Sequence, residues 1–379
     1  MDLTKKLVSL ESHVYTEQKE EKVALYLRDF MQDFGCEVSL QQVKKNRPNL
    51  IAILPGKTGG STLMFNGHMD TVPPGEMEAP FTPSVKDGKL YGRGSTDMKG
   101  AVAAMAIAMK HIAGSDVQPT GNLALVTTVD EEIQAIGMDH FVKHRDFTPD
   151  YCLVGEPTSL DMGIAHKGIE KVSIETKGKS VHGSTPQKGI NAINHMAKII
   201  QYITEELSPQ LSERRDPDLG SPTLNIGTIE GGDQVNIVPS KCKIEIDRRW
   251  IPGETVTSII EEFEQAIEDV KEKADSLEAA VSRLDETSKV WHGPFRATNA
   301  DPLVNAVSKA VHEYTKTDPE QVGLNYWTDG ALVSREGVPT LIIGPGKLAK
   351  AHTIDEYVEI DKLVNSARIY CQVGLELCK

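Results

Sequence analysis

The 379-residue sequence has few of the residues and runs that mark several large classes of protein. It contains five cysteines, an odd number without a Cys-x-x-Cys pair, which argues against a disulfide framework or a structural zinc knuckle. The longest apolar run, AVAAMAIAM at 101–109, is too short to span a bilayer, and the first residues lack the apolar segment of a signal peptide. We therefore expect a protein of the reducing cytoplasm, without a membrane partner.

Positive charge is scarce as well. Lysine and arginine number 41 against 55 aspartates and glutamates, which gives a net charge of −14. Proteins that bind nucleic acids need a basic surface for the phosphate backbone, so we expect no nucleic-acid partner. The surplus of carboxylates suits instead a protein that gathers them around cations.

The length and the hydrophobic pattern predict two domains. Before residue 168 and again after residue 288, short apolar runs alternate with helical segments, as in an α/β sheet with helices on its faces. Between these regions the runs alternate apolar and polar residues, as half-exposed antiparallel strands do. We therefore predict one domain formed by residues 1–167 plus 289–379, with an α+β domain of residues 168–288 inserted into it.

Acidic residues and histidines follow several of the predicted strands, and one aspartate precedes an apolar helix: His68, residues 130–132 (Asp-Glu-Glu), Glu156, His352 and Asp97. In an open α/β sheet the carboxyl ends of the strands form one crevice, so these side chains are expected to meet there. Each alone has a plainer explanation, such as a helix N-cap for Asp97. Together, however, they would repel one another without cations. Imidazole with carboxylate is a ligand set for zinc or a similar divalent ion, so we predict a metal site.

Asp70 follows His68 by two residues and lies on the same side of an extended chain. Its carboxylate can therefore accept the ring N–H of His68 that faces away from a metal ion. Such a hydrogen bond would fix the tautomer of the ring and increase its basicity as a ligand.

Motifs of other chemistries are missing from the sequence. There is no His-Glu-x-x-His, no Gly-x-Ser-x-Gly and no P-loop lysine motif. The segment GRGSTD at 92–97 begins like a dinucleotide-binding loop, but Asp97 takes the place of the third glycine and would repel a pyrophosphate. The absence of these motifs therefore favours metal-dependent chemistry at the histidines and carboxylates described above.

Eight motifs occur in a characteristic order: GHMDTVPPG, GRGSTDMKG, DEE, GEPT, HGSTPQKGINAI, GGDQVNIVPSKC, DRRWIPGE and GPGKLAKAHTIDEY. In this order the chain closely resembles the acetylornithine deacetylase / succinyl-diaminopimelate desuccinylase family, which has glutamate carboxypeptidases and aminoacylases as relatives. The resemblance covers nearly the whole chain. It implies a zinc-peptidase-like catalytic domain, with a mixed sheet flanked by helices, and an inserted α+β domain that serves for dimerisation or as a lid.

The resemblance also implies two divalent metal ions per chain. Zinc is expected, with cobalt or manganese as alternatives. One ion would be bound by His68 and Glu156, and the other by Glu132 and His352. Asp97 would bridge the two ions.

Further residues take catalytic roles by the same resemblance. Glu131 would be the general base that takes the proton of the attacking water, and Asp70 would support His68. His182 of the inserted domain would donate a hydrogen bond to the oxyanion and would come from the other subunit of a homodimer.

Four residues would contact the substrate. Asn236 and Arg249 match residues that grip the substrate carboxylate, although Arg248 stands beside Arg249 and leaves open which arginine does so. Thr328 and Asp329 match a loop that lines the pocket.

The sequence thus predicts a homodimeric, metal-dependent amidohydrolase that cleaves an N-acyl amino acid into a carboxylate and an amine. One alternative is a di- or tripeptidase, or a carboxypeptidase, with the same metal site. A second alternative is a catalytically silent, metal-bound dimer that serves as a scaffold. The intact ligand set and the presence of Glu131 speak against the second alternative.

Overall fold

The computed structural model describes residues 1–57, 59–284 and 290–379. The chain folds into two compact units. The first unit comprises Met1–Ile164, Arg296–Gly323 and Thr328–Lys379. The second comprises Ala165–Phe295 and Leu324–Trp327.

The strands of the described residues are, in chain order, β1 (Glu37–Lys44), β2 (Arg47–Leu54), β3 (Leu63–His68), β4 (Ser84–Lys86), β5 (Lys89–Tyr91), β6 (Leu123–Thr128), β7 (Tyr151–Val154), β8 (Met162–His166), β9 (Gly168–Lys177), β10 (Thr223–Gly231), β11 (Lys241–Trp250), β12 (Glu278–Arg283), β13 (Phe295–Arg296), β14 (Gln321–Leu324), β15 (Thr340–Ile342) and β16 (Tyr357–Glu359). The α-helices are α1 (Asp2–Val8), α2 (Glu21–Gln32), α3 (Lys99–Ala113), α4 (Ile136–His144), α5 (Ala192–Tyr202), α6 (Ser208–Glu213), α7 (Val256–Lys271), α8 (Asp301–Thr315), α9 (Gly330–Arg335) and α10 (Ile360–Leu377).

A large mixed sheet forms the centre of the first unit. Its strand order is β1-β2-β6-β3-β7-β15-β8-β13, and β14 pairs with β8. The adjacent strands β6, β3, β7 and β15 run parallel, whereas β1, β2 and β6 pair antiparallel. Helices pack on this sheet, so the predicted fold class is confirmed.

Helix α3 is the innermost helix of the first unit. Alanine, methionine, valine and isoleucine occupy most of its positions, so the helix is apolar on nearly every side and is largely buried. It packs against β3, β6 and α10. The first turn of α3 is thereby held close to the carboxyl ends of the parallel strands.

The second unit is a four-stranded antiparallel sheet, in the order β10-β11-β9-β12, with α5 and α7 packed on it. Buried and partly exposed residues alternate along β11, which explains the alternating pattern in the sequence. The strand β10 lies at an edge of this sheet and is mostly exposed.

The predicted domain boundaries stay a prediction. One of them, between residues 288 and 289, lies outside the described residues. The five cysteines are free thiols in the structure. Among the described residues, no helix is both long enough and apolar enough to cross a membrane.

Candidate metal centre

Three neighbouring parallel strands carry residues of the candidate site at their carboxyl ends. His68 is the last residue of β3, residues 130–132 follow β6, and Glu156 follows β7. Because β6, β3 and β7 are adjacent and parallel, their carboxyl ends lie at the same edge of the sheet. Asp97 precedes α3, and His352 lies in the loop before β16. The structure brings all of these segments together.

His68 lies at the centre of one group of ligand atoms. Its Nε2 atom is 3.0 Å from Oδ1 of Asp97, 3.7 Å from Oε1 of Glu156 and 3.9 Å from Oε2 of Glu131. The side chain of His68 is almost fully buried. Atoms of His68, Glu131 and Glu156 lie within 4.8 Å of one another, close enough to hold one metal ion.

A second group shares Asp97 with the first. Nε2 of His352 is 3.3 Å from Oδ2 of Asp97 and 3.1 Å from Oε2 of Glu132. Atoms of His68, Asp97 and Glu132 also lie within 4.8 Å of one another. The two oxygens of Asp97 therefore face one histidine each. This is the arrangement that a carboxylate bridging two ions would need.

Two glycines allow the start of α3 to approach the strand ends. A Cβ atom on Gly67 would lie 2.7 Å from Cε of Met98 and 2.8 Å from Cγ2 of Val102. A Cβ atom on Gly155 would lie 2.8 Å from the same Met98 carbon. Met98, not Asp97, is the N-cap residue of α3. The carboxylate of Asp97 therefore does not cap the helix and faces the two histidines.

Asp70 contacts the ring of His68 through its backbone oxygen and not through its carboxylate, which is the group that the sequence analysis predicts. Nδ1 of His68 is 3.0 Å from the backbone oxygen of Asp70, but 3.6 Å from the carboxylate oxygen Oδ1. The carboxylate instead accepts hydrogen bonds from the backbone N–H groups of Glu131 (3.2 Å) and Glu132 (3.1 Å). Asp70 thus orients His68 through its backbone and holds the turn that presents the two glutamates through its side chain.

The pKa shifts at the site result from burial and from the close packing of carboxylates and histidines. Burial raises the pKa of Glu131 well above its usual value, and the charge of Glu156 raises it further. Burial alone would lower the pKa of His68, but the hydrogen bond to Asp97 and the neighbouring carboxylates raise it well above its usual value. Hydrogen bonds to Asp97 and Glu132 raise the pKa of His352 to about 10.

This donor set fits divalent metal ions. The carboxylates of the site form their ion pairs, among the described residues, with the two histidines. Divalent cations would offset the repulsion between these carboxylates and would favour their deprotonated forms. Imidazole nitrogen and carboxylate oxygen are ligands of zinc and of similar ions.

His182 and Asn236 are neighbours within the second unit. The N–H of Gly183 donates to the backbone oxygen of Asn236 (2.7 Å), and residues 182 and 237 form a β-bridge. The N–H of Ser184 donates to Nδ1 of His182 (3.2 Å), so the neutral ring carries its proton on Nε2. The exposed ring of His182 thus presents an N–H donor.

The structure distinguishes the two adjacent arginines of β11. Arg248 is fully buried, and its guanidinium pairs with Glu254 (2.6 Å) and Glu262 (3.3 Å). Arg249 has a side chain that is 29% exposed and pairs with Asp247 on its own strand. Arg249 is therefore the arginine with surface available for a substrate carboxylate, whereas Arg248 holds the unit together.

Thr328 and Asp329 are both buried in the first unit. The carboxylate of Asp329 accepts a hydrogen bond from Oγ1 of Thr128 (2.6 Å), at the end of β6. Burial raises the pKa of Asp329 to about 7. Both residues have almost no surface exposed to solvent, and Asp329 lies close enough to His68 for the two charges to interact.

A buried ion network supports the Asp-Glu-Glu turn, and the sequence analysis did not identify it. Arg47 donates from Nε to Glu20 (2.9 Å) and from Nη1 to Asp130 (2.5 Å). Asp130 has φ 68° and directly precedes Glu131. The run EQKEEK around Glu20 is typical of a solvated surface, so the sequence carries no signal for this network.

The chain is similar in sequence to known hydrolases over most of its length. Residues 64–376 match Peptidase family M20/M25/M40. An acetylornithine deacetylase of Vibrio cholerae serotype O1 is 30% identical over 370 residues, which cover 96% of this chain and 93% of that protein.

Solved structures have the same fold. A tripeptidase from Staphylococcus aureus superposes with a TM-score of 0.81 at 22% identity, covering 100% of this chain and 97% of that chain. A dinuclear metal-binding peptidase of the M20 family from Bacillus subtilis gives a TM-score of 0.73 at 14% identity, with 99% and 96% covered. At these identities, the similarity establishes the fold.

Proposed function

The chain belongs to Peptidase family M20/M25/M40 and is a hydrolase of amide bonds, and from this premise we propose that it is a di-metal deacylase of N-acyl amino acids. The observation that carries the proposal is the buried cluster in which Glu131 joins His68, Asp97 and Glu156. The similarity to acetylornithine deacetylase supports an N-acyl amino acid as the substrate class. The predicted cytoplasmic location stays a prediction.

Each residue of the cluster has a defined task in this proposal. His68 and Glu156 would hold one ion, Glu132 and His352 the other, and Asp97 would bridge them. When bound, the two ions acidify a water molecule and polarise the amide carbonyl.

Glu131 would be the general base of the reaction. Its carboxylate would accept a proton from the attacking water and would later deliver it to the leaving amine. The carboxylate of Asp70 would hold the backbone of Glu131 in position through the hydrogen bond at 3.2 Å. The ring of His182 would donate from Nε2 to the oxyanion of the tetrahedral intermediate.

Arg249 and Asn236 would bind the carboxylate of the substrate. The guanidinium of Arg249 is partly exposed, and a carboxylate is its natural bidentate partner. Asp247 would compete for the same guanidinium, so substrate binding would require an exchange of partners.

The second unit has the surface expected of a homodimer interface. The edge strand β10 is mostly exposed, and such a strand can pair with a second copy of itself. Exposed apolar side chains occur on the same unit: Ile193, Ile229, Val235 and Ile237. We propose an isologous dimer through this surface, in which each active site receives His182 from the partner.

A hydrolysis screen tests the proposed function. Purified protein loaded with zinc or cobalt should be offered N-acetylornithine, N-succinyl-diaminopimelate, other N-acyl amino acids and dipeptides. We expect the highest kcat/KM for an N-acyl amino acid. N-acetylputrescine, which is N-acetylornithine without its carboxylate, should be a poor substrate because it has no carboxylate for Arg249 to bind.

The screen also separates the two alternatives. A higher kcat/KM for dipeptides would favour a peptidase, which the similarity in fold to the S. aureus tripeptidase makes the second candidate. Two bound ions without turnover of any of these compounds would favour a silent scaffold.

His182→Ala should reduce kcat about 10²–10³-fold, as the loss of one oxyanion donor does, and should leave metal content and dimerisation unchanged. Subunit mixing tests where this histidine acts. His182→Ala mixed with Glu131→Ala should recover about a quarter of wild-type activity, because half of the randomly formed dimers are hybrids with one intact site.

The matched control for this experiment is a mixture of Glu131→Ala with Glu132→Ala. Both changes lie in the first unit, so no hybrid has an intact site and no activity should return. If hybrids of the His182 and Glu131 variants form and remain inactive, His182 does not act across the dimer.

A further inference from the structure

Glu356 is a fully buried carboxylate outside the predicted site residues. It follows His352 by four residues. Its Oε1 atom accepts hydrogen bonds from the backbone N–H groups of Thr96 (3.0 Å) and Asp97 (3.2 Å). Its Oε2 atom pairs with the buried guanidinium of Arg93 at 2.5 Å. Both oxygens of this carboxylate are therefore engaged by donors from the segment that ends at Asp97.

The same two chain segments are joined by further contacts. The N–H of Gly92 donates to the backbone oxygen of Glu356 (3.2 Å), and the hydroxyl of Thr96 donates to the backbone oxygen of Tyr357. Residues 92–97 are thus hydrogen-bonded to residues 356–357 at both ends of the segment. A loop that contains two glycines would otherwise have considerable conformational freedom.

We infer that Glu356 is a positioning residue for the metal centre, which holds the backbone of Asp97 so that its two oxygens face His68 and His352. A hydrogen bond from an N–H to a carboxylate is stronger than one between neutral groups, so two such bonds fix the peptide groups on either side of Thr96. His352 lies on the segment that carries Glu356. One short stretch of chain therefore supplies a ligand and also sets the position of the bridging carboxylate. The inference rests on the proposed metal site.

The burial of this group indicates a specific requirement for a carboxylate. Moving a carboxylate and a guanidinium out of water has a large cost, which close pairing and additional hydrogen bonds must offset. An uncharged side chain would fill the same space without that cost. The carboxylate, however, can accept both backbone N–H groups on one oxygen and still pair with Arg93 through the other.

Glu356→Gln tests the inference, because the shape is kept while the carboxylate is lost. The affinity of the full-length protein for zinc, measured by competition with a chromophoric chelator, should fall about 10–100-fold, as it does when supports of metal ligands are removed. The visible spectrum of the cobalt-loaded protein should change, since the geometry at Asp97 changes. Neither measurement requires turnover. The inference can therefore fail while the proposed reaction is confirmed, and the proposed reaction can fail while the inference is confirmed.

Asp355→Asn is the matched control. This neighbouring carboxylate is exposed and pairs with Lys350 at 2.5 Å. The variant should keep wild-type zinc affinity and the wild-type cobalt spectrum. If Glu356→Gln does not fold, Arg93→Lys takes its place, since it weakens the same contact and should lower zinc affinity in the same direction. Wild-type affinity and spectrum in the folded variant, with or without a lower melting temperature, would overturn the inference.

Discussion

Replacing Glu131 by alanine should reduce kcat by about two to four orders of magnitude, as expected for the loss of a general base, while both metal ions remain bound. The carboxylate of Glu131 lies almost buried beside His68 and Glu156, and its Oε2 atom is 3.9 Å from Nε2 of His68. It is therefore close enough to take a proton from a water molecule held at the site. The change can be measured as kcat at saturating substrate, with metal content determined by elemental analysis.

Comparison with Glu132→Ala distinguishes a general base from a metal ligand. Glu132 is the next residue, and its carboxylate lies 3.1 Å from Nε2 of His352. Because Glu132 is proposed to be a metal ligand, the Glu132→Ala variant should lose one ion as well as activity. Geometry alone would also allow Glu131 to be a ligand, because it forms a group with His68 and Glu156. If Glu131→Ala lost an ion and Glu132→Ala kept both, the two roles would have to be exchanged.

Removal of metal should abolish turnover altogether. The candidate site has two histidines and four carboxylates, and the two oxygens of Asp97 face one histidine each, which predicts two ions per chain. Without these ions the water keeps its ordinary acidity and the amide carbonyl is not polarised, so Glu131 alone is too weak a base for the reaction. Dialysis against a chelator should give inactive protein, and addition of zinc or cobalt should restore activity.

The stoichiometry is part of the same prediction. Activity should be followed against the number of ions added per chain, and the fully active protein should contain about two, as in two-metal hydrolytic sites. Circular dichroism of the metal-free protein controls for unfolding. Full activity in protein shown by elemental analysis to be free of metal would contradict the assignment of the site.

The apolar runs carried most of the information on the fold. The runs that form β3, β6 and β7 are buried throughout or nearly so, and each is followed by residues of the candidate site. Their common position could be anticipated because parallel strands end at the same edge of a sheet. Which strands are neighbours could not be anticipated, since the order β6-β3-β7 differs from the order in the chain.

The two adjacent arginines of β11, Arg248 and Arg249, separate what the sequence pattern indicates from what the tertiary structure decides. Adjacent residues of a strand point to opposite faces, so one arginine had to face inward and the other outward. The alternation along β11, whose apolar residues all lie on the buried face, places Arg248 on that face and Arg249 on the other. The pattern does not show how a buried arginine is accommodated: Glu254 and Glu262 pair with Arg248 inside the second unit.

The sequence by itself determined the fold class, the family and the kinds of ligand atom at the site, because these depend on local hydrophobic patterns and on short motifs. Only the tertiary structure decided how the site residues are held. Asp70 binds the backbone of Glu131 across 61 residues, and Glu356 binds the backbone of Asp97 across 259 residues. A buried carboxylate must find donors wherever the folded chain places them, so its partners depend on contacts between distant segments and not on its neighbours in the sequence.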